Sequence, residues 1–264
     1  MGPSSAGVIG LLHPGEMGAA VGRCLTARGC RVPWASQGRG RLTADRARTA
    51  GLTDVGSVAD VARQAEVIVS VCPPHAALEV ARAVRGFTGL YVDANAIAPH
   101  TAAGVSAVVS EGGARYVDGG IIGPPPLTPG TTRLYLSGQC APSVASLFVG
   151  TALEARILTS GPFAASSLKM AYAAWTKGSA ALLLEARQLA EALGVRDELA
   201  AEWALSQPGL AARHRAATES AHAKGWRWIA EMQEIAATMD RAGLPDGFHL
   251  AAARVFRHSQ DQHG

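Results

Sequence analysis

Lys169 is the residue whose surroundings speak most directly of chemistry. It sits near the start of an alanine-rich segment, Ala164-Ala165-Ser166-Ser167-Leu168-Lys169-Met170-Ala171-Tyr172. Lys169, Tyr172 and Thr176 follow at i, i+3 and i+7, which puts them on one helical face, with Lys177 close by. Apolar surroundings disfavour an ammonium, lower its pKa and let it exchange a proton near neutrality. The same spacing suits a lysine whose stem lies along the helix while its head snorkels to solvent. Tyr172 is either a second proton donor or a packing tyrosine. Glu231 and Glu234 lie one turn apart among Ile, Met and Ala. They read either as two carboxylates turned into a cleft or as an exposed pair beside Arg227.

A different chemistry is written at the N-terminal end. The apolar run Ala6 to Leu12 meets His13-Pro14-Gly15-Glu16-Met17-Gly18, then the small residues Ala19, Ala20, Val21 and Gly22. Strand, glycine-rich turn and helix open a dinucleotide-binding βαβ unit: the glycines let the backbone approach a pyrophosphate, and the helix N-terminus offers it free N–H groups. A strict G-x-G-x-x-G would place glycine at position 13. This chain has His13, so the pattern reads Gly10, an expanded Leu11-Leu12-His13-Pro14 turn, then Gly15-x-x-Gly18. An ordinary tight turn would look similar. The next strand, expected over Cys30 to Ser36, ends Ala35-Ser36-Gln37-Gly38-Arg39-Gly40-Arg41 with no acid before Asp45. An NAD site wants a carboxylate there, whereas guanidinium groups grip a 2′-phosphate. Arg39 and Arg41 therefore favour NADP(H), against a reading as solvated loop charges.

These residues need a scaffold, and the chain supplies an ordinary one. Its 264 residues, 48% hydrophobic, suffice for one large and one smaller domain. A net charge of +3 with dispersed arginines argues against nucleic acid. Cys24, Cys30, Cys72 and Cys140 show neither a disulfide framework nor metal-ligand spacing, so no metal is expected and a reducing cytoplasm is the natural setting. Met1 to Ser5 is too short and polar for a signal peptide, and no run reaches membrane-spanning length. Strand-like runs at Glu66–Cys72, Leu90–Asp93, Arg115–Val117, Thr132–Ser137 and Arg156–Thr159 alternate with helices, one of them over His75–Arg85. The pattern predicts a Rossmann-type doubly wound sheet over residues 1–160. An all-α region over residues 161–264 follows, joined by a helix from Phe163 to Leu193, roughly 45 Å long. Further helices are expected over Glu198–Leu205, Ala211–Ala223 and Arg227–Ala242. The long helix has too little polar surface to lie on a monomer's exterior, which predicts a homodimer. Trp175, Trp203, Trp226 and Trp228 read as core or interface residues, and a pocket lined by some of them would suit a bulkier, less polar substrate.

As an ordered set, the glycine-rich turn, Val71-Cys72-Pro73-Pro74, Asp93-Ala94-Asn95, Asp118-Gly119-Gly120-Ile121-Ile122-Gly123 and the helical Lys169 resemble the 6-phosphogluconate dehydrogenase and β-hydroxyacid dehydrogenase superfamily. The ending, Trp226 to Ala236 and Gly243 to Phe248, is similar to a bacterial branch with a C-terminal helical domain of unassigned function, related to imine reductases. The resemblance implies that Gly10, His13, Pro14, Gly15, Glu16, Met17 and Gly18 hold a pyrophosphate. Ser36, Arg39 and Arg41 would take the 2′-phosphate, Cys72, Pro73 and Pro74 would pass the nicotinamide ribose, and Asn95 would reach nicotinamide and substrate. Gly119 and Gly120 would receive a substrate carboxylate on backbone N–H groups, and Lys169 would be the catalytic lysine. The superfamily commonly has asparagine one turn after that lysine; here the nearby positions are Tyr172 and Ala173, which bears on substrate class. Three functions follow: an NADPH-dependent reductase or dehydrogenase of a carbonyl or 3-hydroxy acid, an imine reductase, and an NADPH-binding protein without turnover.

Overall fold

The computed structural model describes residues 7–261, in which the apolar runs of the N-terminal part become the strands of one sheet. β1 (Ile9–Leu12) leads into α1 (Glu16–Ala27), β2 (Pro33–Trp34) into α2 (Arg41–Thr49), and β3 (Thr53–Asp54) into α3 (Val58–Gln64). β4 (Val67–Ser70) is followed by a 3-10 turn at Pro74–Ala76 and α4 (Ala77–Ala83), and β5 (Leu90–Asp93) by α5 (Pro99–Glu111). β6 (Arg115–Ile122), β7 (Thr132–Ser137), α6 (Ala141–Ser146) and β8 (Leu153–Ile157) complete the sheet. Its order is β3-β2-β1-β4-β5-β6-β7-β8, and every pairing from β3 through β6 is parallel, as a doubly wound sheet requires.

The last two strands reverse direction: β7 runs antiparallel to β6, and β8 parallel to β7. The connection explains it. Residues 123–131 contain Pro124, Pro125 and Pro126 and no helix, so the chain turns straight back instead of crossing over. Side chains alternate across the sheet. Ile9, Leu11, Val69, Val92 and Val117 pack one face, while Leu12, Ile68 and Tyr91 pack the other. Both faces are apolar because helices cover both.

The chain divides into two compact units, one ending at Lys169 and the other beginning at Met170. Four helices follow the sheet: α7 (Ala164–Ala192), α8 (Arg196–Ser206), α9 (Leu210–Arg241) and α10 (Gly247–Asp261). The helices expected over 211–223 and 227–242 are a single 32-residue helix. Gly225, at the supposed break, is a packing contact: a Cβ there would come within 2.9 Å of Gln260 Nε2, which donates to the Ala221 carbonyl at 2.8 Å. That close approach belongs to α10, a helix the sequence reading did not anticipate. On α7, Trp175, Leu182 and Leu189 lie seven residues apart and stay 69%, 56% and 60% exposed. No helix among the described residues is long and apolar enough to cross a membrane. Met1–Ser5, considered above for targeting, lie outside the described residues.

Candidate functional site

A row of polar residues crosses the sheet near its C-terminal edge. Ser70 on β4, Asp93 on β5, Asp118 on β6 and Ser137 on β7 are partners in register, and each is at most 1% exposed. Buried polar groups call for partners, and the loops and helix that leave the sheet supply them, save for Asp93 Oδ2, which has no hydrogen-bond partner among the described residues. Asp93 Oδ1 accepts the Asn95 N–H at 3.1 Å, and Asn95 Nδ2 donates to Ser70 Oγ at 3.2 Å. The other end of the Asn95 amide accepts the Cys72 N–H at 2.6 Å, so this side chain, 2% exposed, ties the β4 loop to the β5 loop. Burial, reinforced by Asp118 and opposed by the Asn95 N–H, raises Asp93 to about 7.

Asp118 does a different job: it caps α7. Its Oδ2 accepts the Ser166 N–H and the Ser137 hydroxyl, both at 2.9 Å, while its Oδ1 accepts the Ser166 hydroxyl at 2.5 Å. The Ser137 hydroxyl in turn accepts the Ala165 N–H at 3.2 Å. A carboxylate among first-turn N–H groups suits the helix dipole, although burial still holds Asp118 above the usual carboxylate range. No local side chain does this capping, so spacing along the helix gave no sign of it; the Asp-Gly-Gly at a strand end is the available signal.

That cap sets Lys169 one turn further on. β5 stops opposite Asp118, so from Gly119 onward β6 is paired by β7 alone. Lys169 Nζ donates to the Ile121 carbonyl at 2.9 Å. Burial lowers the lysine to about 8. Gly120 makes the approach possible, and Gly119 lies tight against the end of β5. A Cβ on Gly119 would stand 2.8 Å from the Asp93 carbonyl oxygen, and one on Gly120 2.8 Å from the Ala165 carbonyl oxygen and 3.2 Å from Lys169 Cβ. Packing therefore accounts for both glycines without a bound carboxylate.

The nucleotide-type turn is built differently from its glycine consensus. His13 takes the left-handed conformation, φ 65°, that glycine usually supplies. Its carbonyl accepts the Gly15 N–H at 2.8 Å and lies where a Cβ on Gly18 would collide with it. Gly10 is tight against Val61 and Ala65 of the α3 region. Gly15 is the informative one. Its φ is −68° and a Cβ there would meet nothing within 4 Å, so nothing in the chain itself demands glycine. The α1 cap has no side-chain hydrogen bond, which leaves the first-turn N–H groups of Glu16 and Met17 for an anion.

Beside this turn lies a cavity of about 300 Å³, lined by Leu12, His13, Ala35, Arg39, Val58 and Glu79 among others. Burial, then Arg39, lowers His13 to about 4, and its buried Nδ1 has no partner. The orphaned His13 nitrogen and the Arg39 guanidinium in the cavity wall, with the uncapped start of α1 in the adjoining turn, would suit the phosphates of a dinucleotide. Arg39 lines the cavity; Arg41 points elsewhere, its side chain 95% exposed and 3.9 Å from Asp45. Ser36 is engaged with Asp54 on the neighbouring β3, whose carboxyl the Gly56 N–H and the Ser36 hydroxyl hold below its usual range. That acid escapes a reading confined to β2. Cys72 is buried, with its thiol pushed up to about 12 by desolvation, and Pro73 and Pro74 enter the 3-10 turn.

The remaining candidates belong to the unit beginning at Met170. Tyr172 is 43% exposed, and the Thr176 hydroxyl donates to the Tyr172 carbonyl at 3.1 Å. Glu231 is 8% exposed and its carboxylate is bound to the Lys177 ammonium, which also lies 5.6 Å from the Trp228 ring. The two were not linked by spacing because they sit on α7 and α9. Glu234, one turn along α9, is intermediate in exposure.

Comparison with known proteins bears on the fold. Residues 190–259 match the model of a domain of unknown function, DUF1932. An uncharacterized 28.5 kDa protein of Methanothermus fervidus is 28% identical over 193 residues, 72% of this chain and 74% of that one. The conserved protein MTH1747, of unknown function and described as structurally similar to 3-hydroxyacid dehydrogenases, is 28% identical with TM-score 0.68, covering 96% and 97% of the two chains. 3-Hydroxyisobutyrate dehydrogenase from Salmonella typhimurium superposes at TM-score 0.73 and 14% identity over 97% and 95%. This chain has the β-hydroxyacid dehydrogenase fold. The fold extends to an imine reductase of Streptomyces aurantiacus and a reductive aminase of Aspergillus terreus solved with NADPH and ethyl levulinate, at 18% and 17% identity and TM-scores of 0.57 and 0.61.

The lowered lysine has a consequence for stability. Lys169 titrates near 8 when folded against 10.5 when unfolded, so between those values the unfolded chain binds more protons and stability rises with pH. The burial penalty is fully present below pH 8 and fades above it. Lys169→Met removes this dependence. Urea unfolding of both proteins from pH 7 to pH 10 should show wild type gaining on the variant as pH rises; a constant difference would refute the lowered pKa.

Proposed function

We propose that the chain is an NADP(H)-dependent oxidoreductase acting on the carbonyl or alcohol of a small, 3-hydroxy acid-like substrate, with Lys169 as general acid and base. The observation that carries this reading is the ammonium of Lys169, lodged on the Ile121 carbonyl beyond the end of β5 with its pKa near 8. A group that titrates there holds both protonation states within reach of neutral pH, as proton transfer to and from a substrate oxygen requires. The cofactor, when bound, supplies or accepts the hydride. Gly10 to Gly18, with Arg39, would hold it, and Cys72 to Pro74 with Asn95 would shape the loops beside it. In this reading Asn95 acts through those loops, since both ends of its amide are already engaged. Residues 1–160 would form the nucleotide domain and 161–264 the substrate and dimerisation domain, with Tyr172, Thr176 and Glu234 as candidates toward substrate. Glu231 enters only as the partner that neutralises Lys177.

Cofactor preference tests the first half of the proposal. Arg39 should favour NADPH over NADH by charge-assisted bonds of roughly 1.5–3 kcal/mol each. Titrating both cofactors against wild type and Arg39→Ala should show the preference vanish in the variant, and equal affinities in wild type would end the claim.

Turnover tests the second half. Lys169→Met should bind NADPH normally yet lose about 10²–10⁴ in turnover of a carbonyl substrate, the usual worth of a positioned acid, while Tyr172→Phe changes little. The opposite pattern would move the proton donor to Tyr172 and favour imine reduction, and two silent variants would exclude both residues.

The seven-residue row of exposed Trp175, Leu182 and Leu189 further supports a homodimer formed along α7. Sedimentation at micromolar protein should give twice the chain mass of 27.2 kDa, and Leu182→Glu should shift it toward monomer. A wild-type monomer would contradict the dimer.

A further inference from the structure

A second cavity, of about 590 Å³, lies wholly within the unit that begins at Met170 and contains none of the residues assigned above. The last turns of α7, the first residue of α8, the first half of α9 and the end of α10 line it, largely within the stretch that matches the domain of unknown function. His214, Thr218 and His222 recur every four residues on α9 and so form one stripe of the wall. Arg187 from α7 and Arg196 from α8 join them.

The charges in this wall are incompletely matched. Arg187 Nη1 donates to the Arg196 carbonyl at 3.1 Å, which anchors the guanidinium at the start of α8, and it pairs with no carboxylate among the described residues. Arg196 Nη1 is 3.8 Å from Glu191 Oε1, with the side chains 55% and 65% exposed; a contact so long and so wet neutralises little. Glu191 and Glu219 line the same wall. The His214 imidazole is held below its ordinary value by burial and then by Arg187 and Arg196. Arg187 and Arg196 thus stand in the same wall as His214, and the guanidinium fork matches the planar or tetrahedral oxygens of an oxyanion.

We propose that this cavity is a binding site for a small oxyanion, a molecule bearing a phosphoryl or carboxylate group, held by Arg187, Arg196 and His214. It is separate from the nucleotide-type cavity, so it stands or falls independently of the oxidoreductase reading.

Inorganic phosphate is the first probe, titrated into the full-length chain at ionic strength fixed with chloride, with the His214 imidazole followed by NMR. Binding should raise the titration midpoint of His214 saturably, because an anion favours the charged imidazole. Arg187→Gln should raise the half-saturating phosphate concentration about tenfold or more, the worth of a charge-assisted bond. Arg196→Gln, at an exposed position, should do the same and covers the case in which the Arg187 variant folds poorly. A parallel citrate titration separates the two sources of oxyanion, and saturation by either one supports the site. The proposal is overturned if neither anion saturates His214, if chloride alone reproduces the shift, or if the folded variants respond as wild type does.

Discussion

The row Ser70, Asp93, Asp118 and Ser137 is the constraint on which the candidate site depends. Four polar side chains buried in register across a sheet would be costly if left unpaired. Each instead holds something that leaves the sheet: the β4 loop through Asn95, the β5 loop through Asp93, and the first turn of α7 through Asp118 and Ser137. Loops at the C-terminal edge of a doubly wound sheet carry the ligand site, so the row converts strand register into loop position. Lys169 inherits its place from the same row, since it lies one turn beyond the residue that Asp118 caps.

Glycines divide accordingly. Gly18, Gly119 and Gly120 are needed because backbone or side-chain atoms of this chain crowd them, and Gly225 because Gln260 does. Gly15 is crowded by nothing. Only the first group is explained by folding. The distinction matters because a motif read from spacing treats all glycines alike, whereas contact geometry separates those that serve the fold from one that faces outward.

Much of the architecture was legible, and the physical reason is periodicity. The sheet strands from β4 to β5 are short apolar runs bounded by turn residues, and α7 carries an uninterrupted helical pattern, so their extents differ from expectation by only a few residues. What was not legible depends on partners distant in sequence. The reversal of β7 comes from a proline-rich link, the continuity of α9 from packing of Gly225 on α10, and the pairing of Glu231 with Lys177 from two helices meeting. The same holds in the site. Arg39 and Arg41 are equivalent in sequence, yet one lines a cavity and the other extends into solvent; Ser36 finds an acid on a neighbouring strand.

His13 occupies a turn position where glycine would have been conformationally easier, and its imidazole stays neutral down to about pH 4. Histidine is ordinarily the side chain that changes charge across the range living cells experience. Here burial and a neighbouring guanidinium remove that behaviour. In the wall of the nucleotide-type cavity the positive charge consequently comes from Arg39, opposite the carboxylate of Glu79, rather than from a titrating ring. The histidine works as an uncharged part of the wall rather than as a sensor.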